Sequence, residues 1–208
     1  MSRLRPEPDD SLVTLGSDYG NWTIPDIVEP SWTCYCVGAG GDITFERELI
    51  RRYDATARSF EPDEDYIRRA EVEPNQAARF SKHQVAIATA DGPLRMQRTH
   101  IPGSRSLSPA HLYDTEDYVE VPGRTIRSLM DELGDERIEL LKIDVEGGEY
   151  ELMPTLDLPA LGVRVFCIQL HHTGSVRQAH ELIGRLREQG FPLVATDTAV
   201  RLTFARAA

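Results

Sequence analysis

The sequence predicts a single α/β domain built on a doubly wound, mostly parallel sheet with a C-terminal antiparallel hairpin. Three observations carry that reading. Short apolar segments alternate with amphipathic ones at helical spacing, several apolar segments end in glycine or carboxylate clusters, and residues 138–143 form the nearly continuous apolar run of a central parallel strand covered on both faces. At 208 residues the chain can bury one substantial core. Hydrophobic residues make up 40% and charged ones 27%, which excludes a disordered chain.

Residues 1–30, rich in Pro, Gly and Asp, read as an ordered N-terminal arm anchored by Tyr19, Trp22 and Ile24, and residues 31–208 as the domain. The first strand is expected over 33–38, with a helix over 43–53 and a second strand over 55–61, which ends among acids before a short helix at 66–70. A third strand is expected over 83–89; Asp91, Gly92 and Pro93 supply a turn, and residues 94–98 return antiparallel. Residues 99–118 show no period, the pattern of a lid or a disordered segment. Val119 and Val121 look strand-like. Thr125 caps a helix with Ile126, Leu129, Met130 and Leu133 on one face. After the central strand a short helix closes at Pro154, and residues 163–170 form another buried strand. Ser175 and Gln178 make a capping box for a helix whose inner stripe is Val176, Ala179, Ile183 and Leu186. Gly190 stops it, and 193–196 with 200–204 form the terminal hairpin.

With 23 Lys+Arg against 34 Asp+Glu the net charge is -11, so nucleic acid and anionic membrane are repelled and a small, neutral substrate fits better. No apolar run approaches the roughly 20 residues of a membrane span. Residues 1–10 lack the apolar core of a signal peptide, so a cytoplasmic protein is expected, with a homo-oligomer left open. Cys34, Cys36 and Cys167 have no zinc spacing and read as buried thiols.

Three constellations carry the candidate chemistry. Val37-Gly38-Ala39-Gly40-Gly41-Asp42 stands where the first strand meets the first helix, the turn at which a ligand can approach backbone; a tight turn alone would also use these glycines. Glu61 follows the next strand, where a carboxylate can accept both ribose hydroxyls, so turn and acid together indicate an adenosine-type ligand; a solvated surface acid is the plainer alternative. Lys142-Ile143-Asp144-Val145-Glu146-Gly147-Gly148-Glu149 delivers three carboxylates from a core strand. They could oppose a sulfonium charge, or orient an ammonium or a substrate hydroxyl, while Glu149 could simply favour a helix N-terminus.

Together with Leu15-Gly16-Ser17-Asp18-Tyr19-Gly20-Asn21-Trp22 and Phe60-Glu61-Pro62, these segments resemble the FkbM-type methyltransferases over most of the chain. The Lys-Ile-Asp-Val-Glu-Gly segment is the most specific part. Gly148 departs from the family's common alanine, and Gly40-Gly41-Asp42 is not its commonest turn. The resemblance implies a Rossmann-like class I methyltransferase fold that binds S-adenosylmethionine and O-methylates a natural product or sugar. The cofactor-binding candidates are Tyr19, Gly38, Ala39, Gly40, Asp42, Glu61, Pro62, Asp144 and Glu146.

Such a transfer needs a group that removes the hydroxyl proton. His171, His172 and Asp144 are the catalytic candidates, although one histidine could cap the following helix. Metal-free catalysis is favoured over a cation held by Asp144, Glu146 and a histidine. Tyr19 and Trp22 could cover cofactor or substrate, with His100, Arg105 and His111 facing the acceptor; a packed arm and a solvated loop are the plainer alternative. Two other classes stay in view: a noncatalytic nucleotide-binding module, and a nicotinamide-dependent oxidoreductase, which the missing G-x-G-x-x-G spacing argues against.

Overall fold

The computed structural model describes residues 11–198 and 200–206, so the expectation for residues 1–10 lies outside it. Two short strands open the described chain, β1 (Leu12–Leu15) and β2 (Trp22–Pro25), paired antiparallel as a hairpin. The main sheet is mixed and has seven strands. Its members are β3 (Thr33–Val37), β4 (Thr56–Phe60), β5 (Phe80–His83), β10 (Leu140–Ile143), β11 (Val165–Gln169), β12 (Leu193–Thr196) and β13 (Arg201–Ala205), in the order β12-β13-β11-β10-β3-β4-β5. The pairs from β5 through β11 are parallel, whereas β13 runs antiparallel to both β11 and β12.

β10 and β3 sit near the middle and are buried on both faces, which is why they carry no polar alternation. On one face Tyr35, Phe60, Leu141 and Phe166 pack against α3 (Ile126–Leu133) and α6 (Val176–Glu188). On the other, Cys34, Cys36 and Cys167, all free buried thiols, meet Phe45 and Leu49 of α1 (Thr44–Tyr53) together with Trp22, Ile24 and Trp32. From residue 11 onward the N-terminal arm therefore packs as a hairpin that closes one face of the sheet. Among the described residues no helix is long and apolar enough to cross a membrane.

Between β5 and α3 the chain builds a second sheet of four strands, in the order β6-β9-β7-β8: β6 (Ala86–Ile87), β7 (Gly92–Arg98), β8 (Leu107–Ser108) and β9 (Tyr118–Arg124). The single strand expected over 83–89 is thus two. Phe80–His83 pairs with β4, and the chain crosses at Val85 so that Ala86–Ile87 pairs with β9 instead. Edge strand β5 has no fully buried residue, so no alternation marks it in the sequence. The return strand β7 pairs with β9 and β8. The segment read as a lid or disorder is tethered, because Leu107 and Ser108 are buried in β8.

Helix α6 has the expected capping box but a rotated inner face. Leu182 and Leu186 are its buried residues, Ala179 and Ile183 are partly buried, and Val176 is 75% exposed, because the first turn lies over an open groove. Leu182→Ala is accordingly expected to cost about 2–5 kcal/mol in urea unfolding, and Val176→Ala no more than about 0.5 kcal/mol. Equal losses would restore the original stripe.

Candidate functional site

The carboxyl ends of β3, β4 and β10 open into a cleft of about 310 Å³. Its floor is the turn after β3. Gly38 takes φ +70°, and a Cβ there would lie 1.7 Å from the Asp144 carbonyl oxygen, so only glycine lets the end of β3 cross the end of β10. The Gly38 N–H donates to the Phe60 carbonyl at 2.9 Å, and buried Lys142 donates from Nζ to the Gly38 carbonyl at 3.2 Å. Gly40 takes φ +58° with nothing within 4 Å of its missing side chain, which leaves open space where a ligand can meet backbone. Asp42 accepts from the Thr44 N–H and hydroxyl at 2.8 and 2.5 Å, and from the Ser17 hydroxyl. Burial opposes its charge, but Ser17 and Thr44 hold its pKa below the usual value. Asp42 thus joins the N-terminal hairpin to α1.

Glu61 is 6% exposed and accepts the N–H of Gly40 at 2.9 Å and of Asp63 at 2.9 Å. Burial pushes its pKa up to about 7 despite those two donors, because they compensate only part of the lost hydration. Asp63 caps α2 (Glu64–Arg69), accepting from the Asp65 and Tyr66 N–H groups, and ion-pairs with Arg105 at 2.8 Å.

At the end of β10 the acids surround one imidazole. His171 meets Glu149 through Nδ1 at 2.8 Å, and its Nε2 lies 3.3 Å from Glu146 and 3.8 Å from Asp144. Burial opposes protonation, but bonds to Glu146 and Glu149 and the field of Glu149 and Asp144 outweigh it and push the pKa up to about 10. One contact opposes that charge. The Gln169 amide nitrogen lies 3.2 Å from Nε2, with its oxygen committed to Arg201. Three carboxylates dominate a single amide dipole. Burial lifts Asp144 to about 6 even though Lys142 and His171 pull it down, and its Oδ1 has no hydrogen-bond partner.

Glu146 holds a left-handed φ of +49°, unusual for a residue with a side chain, braced by Ser108 donating to its carbonyl at 2.5 Å and Tyr113 donating to its carboxylate at 3.0 Å. Glu149 is fully buried and accepts the N–H of Val145 and of Gly147. Asp144, Glu149 and His171 each offer an atom within 4.8 Å of the others, a spacing that could hold a cation, but Nδ1 and Oε1 are already bonded to each other.

Further walls come from both additions to the main sheet, Tyr19, Gly20 and Trp22 from the hairpin and Ile87, Met96, Leu107 and Pro109 from the four-stranded insertion, and from Gln169 and Arg201 of the main sheet itself.

The model of the methyltransferase FkbM domain matches residues 36–193, from the Gly38 turn through the Glu61 and Asp144 clusters. The chain belongs to the FkbM methyltransferase family. A crystal structure of methyltransferase FkbM from Methylobacillus flagellatus KT shares the fold, with a TM-score of 0.51 at 15% identity over 86% of this chain and 44% of that one. This chain therefore spans less than half the length of that structure. A protein from Thermoplasma acidophilum named as a candidate methyltransferase aligns at a TM-score of 0.40 and 11% identity over 87% of this chain and 70% of its own. No curated protein matches.

In this FkbM-family chain the cleft gathers Tyr19, Gly38, Ala39, Gly40, Asp42, Glu61, Pro62, Asp144 and Glu146. Tyr19 is 78% exposed and stands at the rim. His171 sits behind the carboxylates as their counter-charge, and a protonated ring has no lone pair with which to take a proton. His172 is exposed and faces a separate groove with Val176 and Leu193. None of His100, Arg105 and His111 lines the cleft. Arg105 is bound to Asp63, His111 contacts Tyr118, and His100 is exposed. Sequence pattern did not single out Lys142, Gln169 or Arg201 as cleft residues. Lys142 stood inside the diagnostic segment, but the other two carry no local signal.

The two turn glycines separate by experiment. Gly40→Ala is expected to cost about 1–2 kcal/mol for its left-handed backbone, whereas Gly38→Ala collides with backbone and is expected to lower Tm several times further. Equal shifts in differential scanning calorimetry would contradict this close approach.

Proposed function

We propose that this chain is an S-adenosylmethionine-dependent O-methyltransferase of Rossmann-like class I architecture acting on a hydroxyl of a small molecule, such as a sugar or another natural product. The observation that carries the reading is the common rim. Gly38, Glu61 and Asp144 end three neighbouring parallel strands and line one cleft. The residues fit the cofactor: Gly40 offers an open backbone, Glu61 is a buried acceptor for ribose hydroxyls, and Asp144 lines the same cleft with one buried oxygen that has no hydrogen bond. When bound, that cofactor supplies an electrophilic methyl on a sulfonium.

This chain's residues supply position and proton removal. Asp144, with a pKa of about 6, is largely ionised at neutral pH and accepts the hydroxyl proton as the acceptor oxygen takes the methyl. His171 stays protonated and holds Glu146 and Glu149 in place. The net charge of -11 favours an uncharged or cationic small acceptor over nucleic acid or anionic lipid, and the setting proposed for it is cytoplasmic.

Calorimetry with S-adenosylhomocysteine tests the cofactor assignment. Glu61→Ala is expected to weaken binding by at least about tenfold, through the loss of charge-assisted hydrogen bonds. Because ribose hydroxyls donate to the ionised carboxylate, wild-type affinity is expected to rise with pH up to about 7 and then level off, and Glu61→Gln to flatten that slope. Unchanged affinity in Glu61→Ala sinks the assignment.

Asp144→Asn is expected to lower kcat by about 10²–10⁴-fold for any hydroxylated acceptor, with homocysteine-nucleoside affinity nearly preserved. Undiminished transfer in a panel of sugars and aromatic alcohols removes Asp144 from the role of base.

A further inference from the structure

Acids outnumber cations around the cleft. Asp42, Glu61, Asp144 and Glu146 line it, against Lys142 and Arg201. Lys142 is buried in β10 and committed to the Gly38 carbonyl, so it offers little to a ligand. Arg201 differs. It is half-buried at the start of β13, and every partner described for its guanidinium is uncharged. Nε donates to the Gln169 side-chain amide oxygen at 2.7 Å, Nη1 donates to the Tyr19 backbone carbonyl at 2.8 Å, and the group lies 5.7 Å from the centre of the Trp22 ring. Among the described residues it forms no ion pair, while most other arginines with a defined setting meet a carboxylate.

We propose that Arg201 is the receptor for the carboxylate of the cofactor's amino-acid tail. The inference rests on the reading of the cleft as an S-adenosylmethionine site and adds where the far end of that ligand is held. Geometry supports it. Glu61 and Arg201 stand on strands separated by β3, β10 and β11, so at the usual inter-strand spacing their backbones are roughly 19 Å apart. Both side chains reach inward across that distance, Glu61 to the Gly40 N–H over β3 and Arg201 to Gln169 over β11. The space left between them suits a ribose joined to a short aliphatic tail.

Chemistry supports it as well. A carboxylate entering a cleft with four acids is favoured beside a cation that no carboxylate already neutralises, and the planar guanidinium can bind it through two parallel N–H groups. Its bond to the Tyr19 carbonyl is the one such a ligand would replace or share, so tail binding reaches the exposed β1–β2 turn directly. Arg201 and Tyr19 both lie outside residues 36–193, the segment matched by the family model.

The test uses calorimetry with two ligands, S-adenosylhomocysteine and its decarboxylated analogue, on wild-type protein, Arg201→Ala and Arg201→Lys. Arg201→Ala is expected to weaken S-adenosylhomocysteine by about tenfold or more, the range of a charge-assisted hydrogen-bond pair. The decarboxylated analogue is expected to bind both proteins alike. Arg201→Lys keeps the charge without the fork and is expected to fall between them, which guards against a variant that simply fails to fold. An unchanged affinity for S-adenosylhomocysteine in Arg201→Ala overturns the proposal, as does equal weakening of both ligands. Wild-type protein that binds neither ligand overturns the cofactor reading and this inference with it.

Discussion

The approach of the Gly38 backbone to the Asp144 carbonyl is the constraint on which the rest of the cleft depends. Strands β3 and β10 run parallel in register through Val37 and Ile143, and the Asp144 N–H still donates to the Val37 carbonyl. One residue later the chain must turn across its neighbour, and a methyl group at Gly38 would overlap the carbonyl oxygen. With hydrogen there instead, the turn delivers the Gly40 N–H to Glu61, whose other bond holds the Asp63 N–H at the entry to α2. Three chain ends are thus fixed to one another by backbone, and the side chains on them inherit that placement. A looser turn would leave each acid on its strand but not on a common rim.

The acids after β10 impose a second constraint, because burying them is unfavourable unless each is paired. His171 supplies one positive charge among Asp144, Glu146 and Glu149, and Lys142 lies beneath. The cluster therefore behaves as a unit: removing the imidazole would leave three carboxylates, one buried and two partly buried, with one less counter-charge, and Glu149, fully buried, would bear most of the penalty. The loop that carries Glu146 is strained at φ +49°, and its supports, Ser108 and Tyr113, come from the four-stranded insertion. The insertion consequently does more than wall the cleft: it holds the acid loop in a conformation that loop would not choose alone.

Which parts of this were legible in the sequence follows from the range of the interactions involved. Strand ends that carry glycine or acid, such as Gly38, Glu61 and Asp144, declare themselves locally, since a core strand that stops in a charge must place it somewhere. The capping box at Ser175 and the Thr125 cap were equally local. The edge strand Phe80–His83 was not legible, because an edge half-buried on both sides has no alternation to show. The stripe on α6 was misassigned at Val176 because spacing identifies a helix face but not where the helix overhangs its support. His171 and His172 are neighbours in sequence with opposite settings, one among carboxylates and one exposed, and only the direction of the chain after β11 separates them. Arg201 meets Tyr19 across 182 positions, a contact no pattern within a window can report.

The charge balance of the cleft has a further consequence under the proposed reading. Asp144 sits near pH 6 because burial and two neighbouring acids outweigh Lys142 and His171. If Asp144 held a sulfonium nearby, a third positive charge would favour its ionised form and move its titration lower. Linkage makes the effect reciprocal: ionised Asp144 must bind the cationic cofactor more tightly than the protonated acid does, by the same factor. A neutral thioether product would lack that attraction, and a proton accepted by Asp144 would remove the rest. The same carboxylate would then favour a charged reactant before transfer and weaken the hold on a neutral product after it, provided its position is fixed by the Gly38 turn.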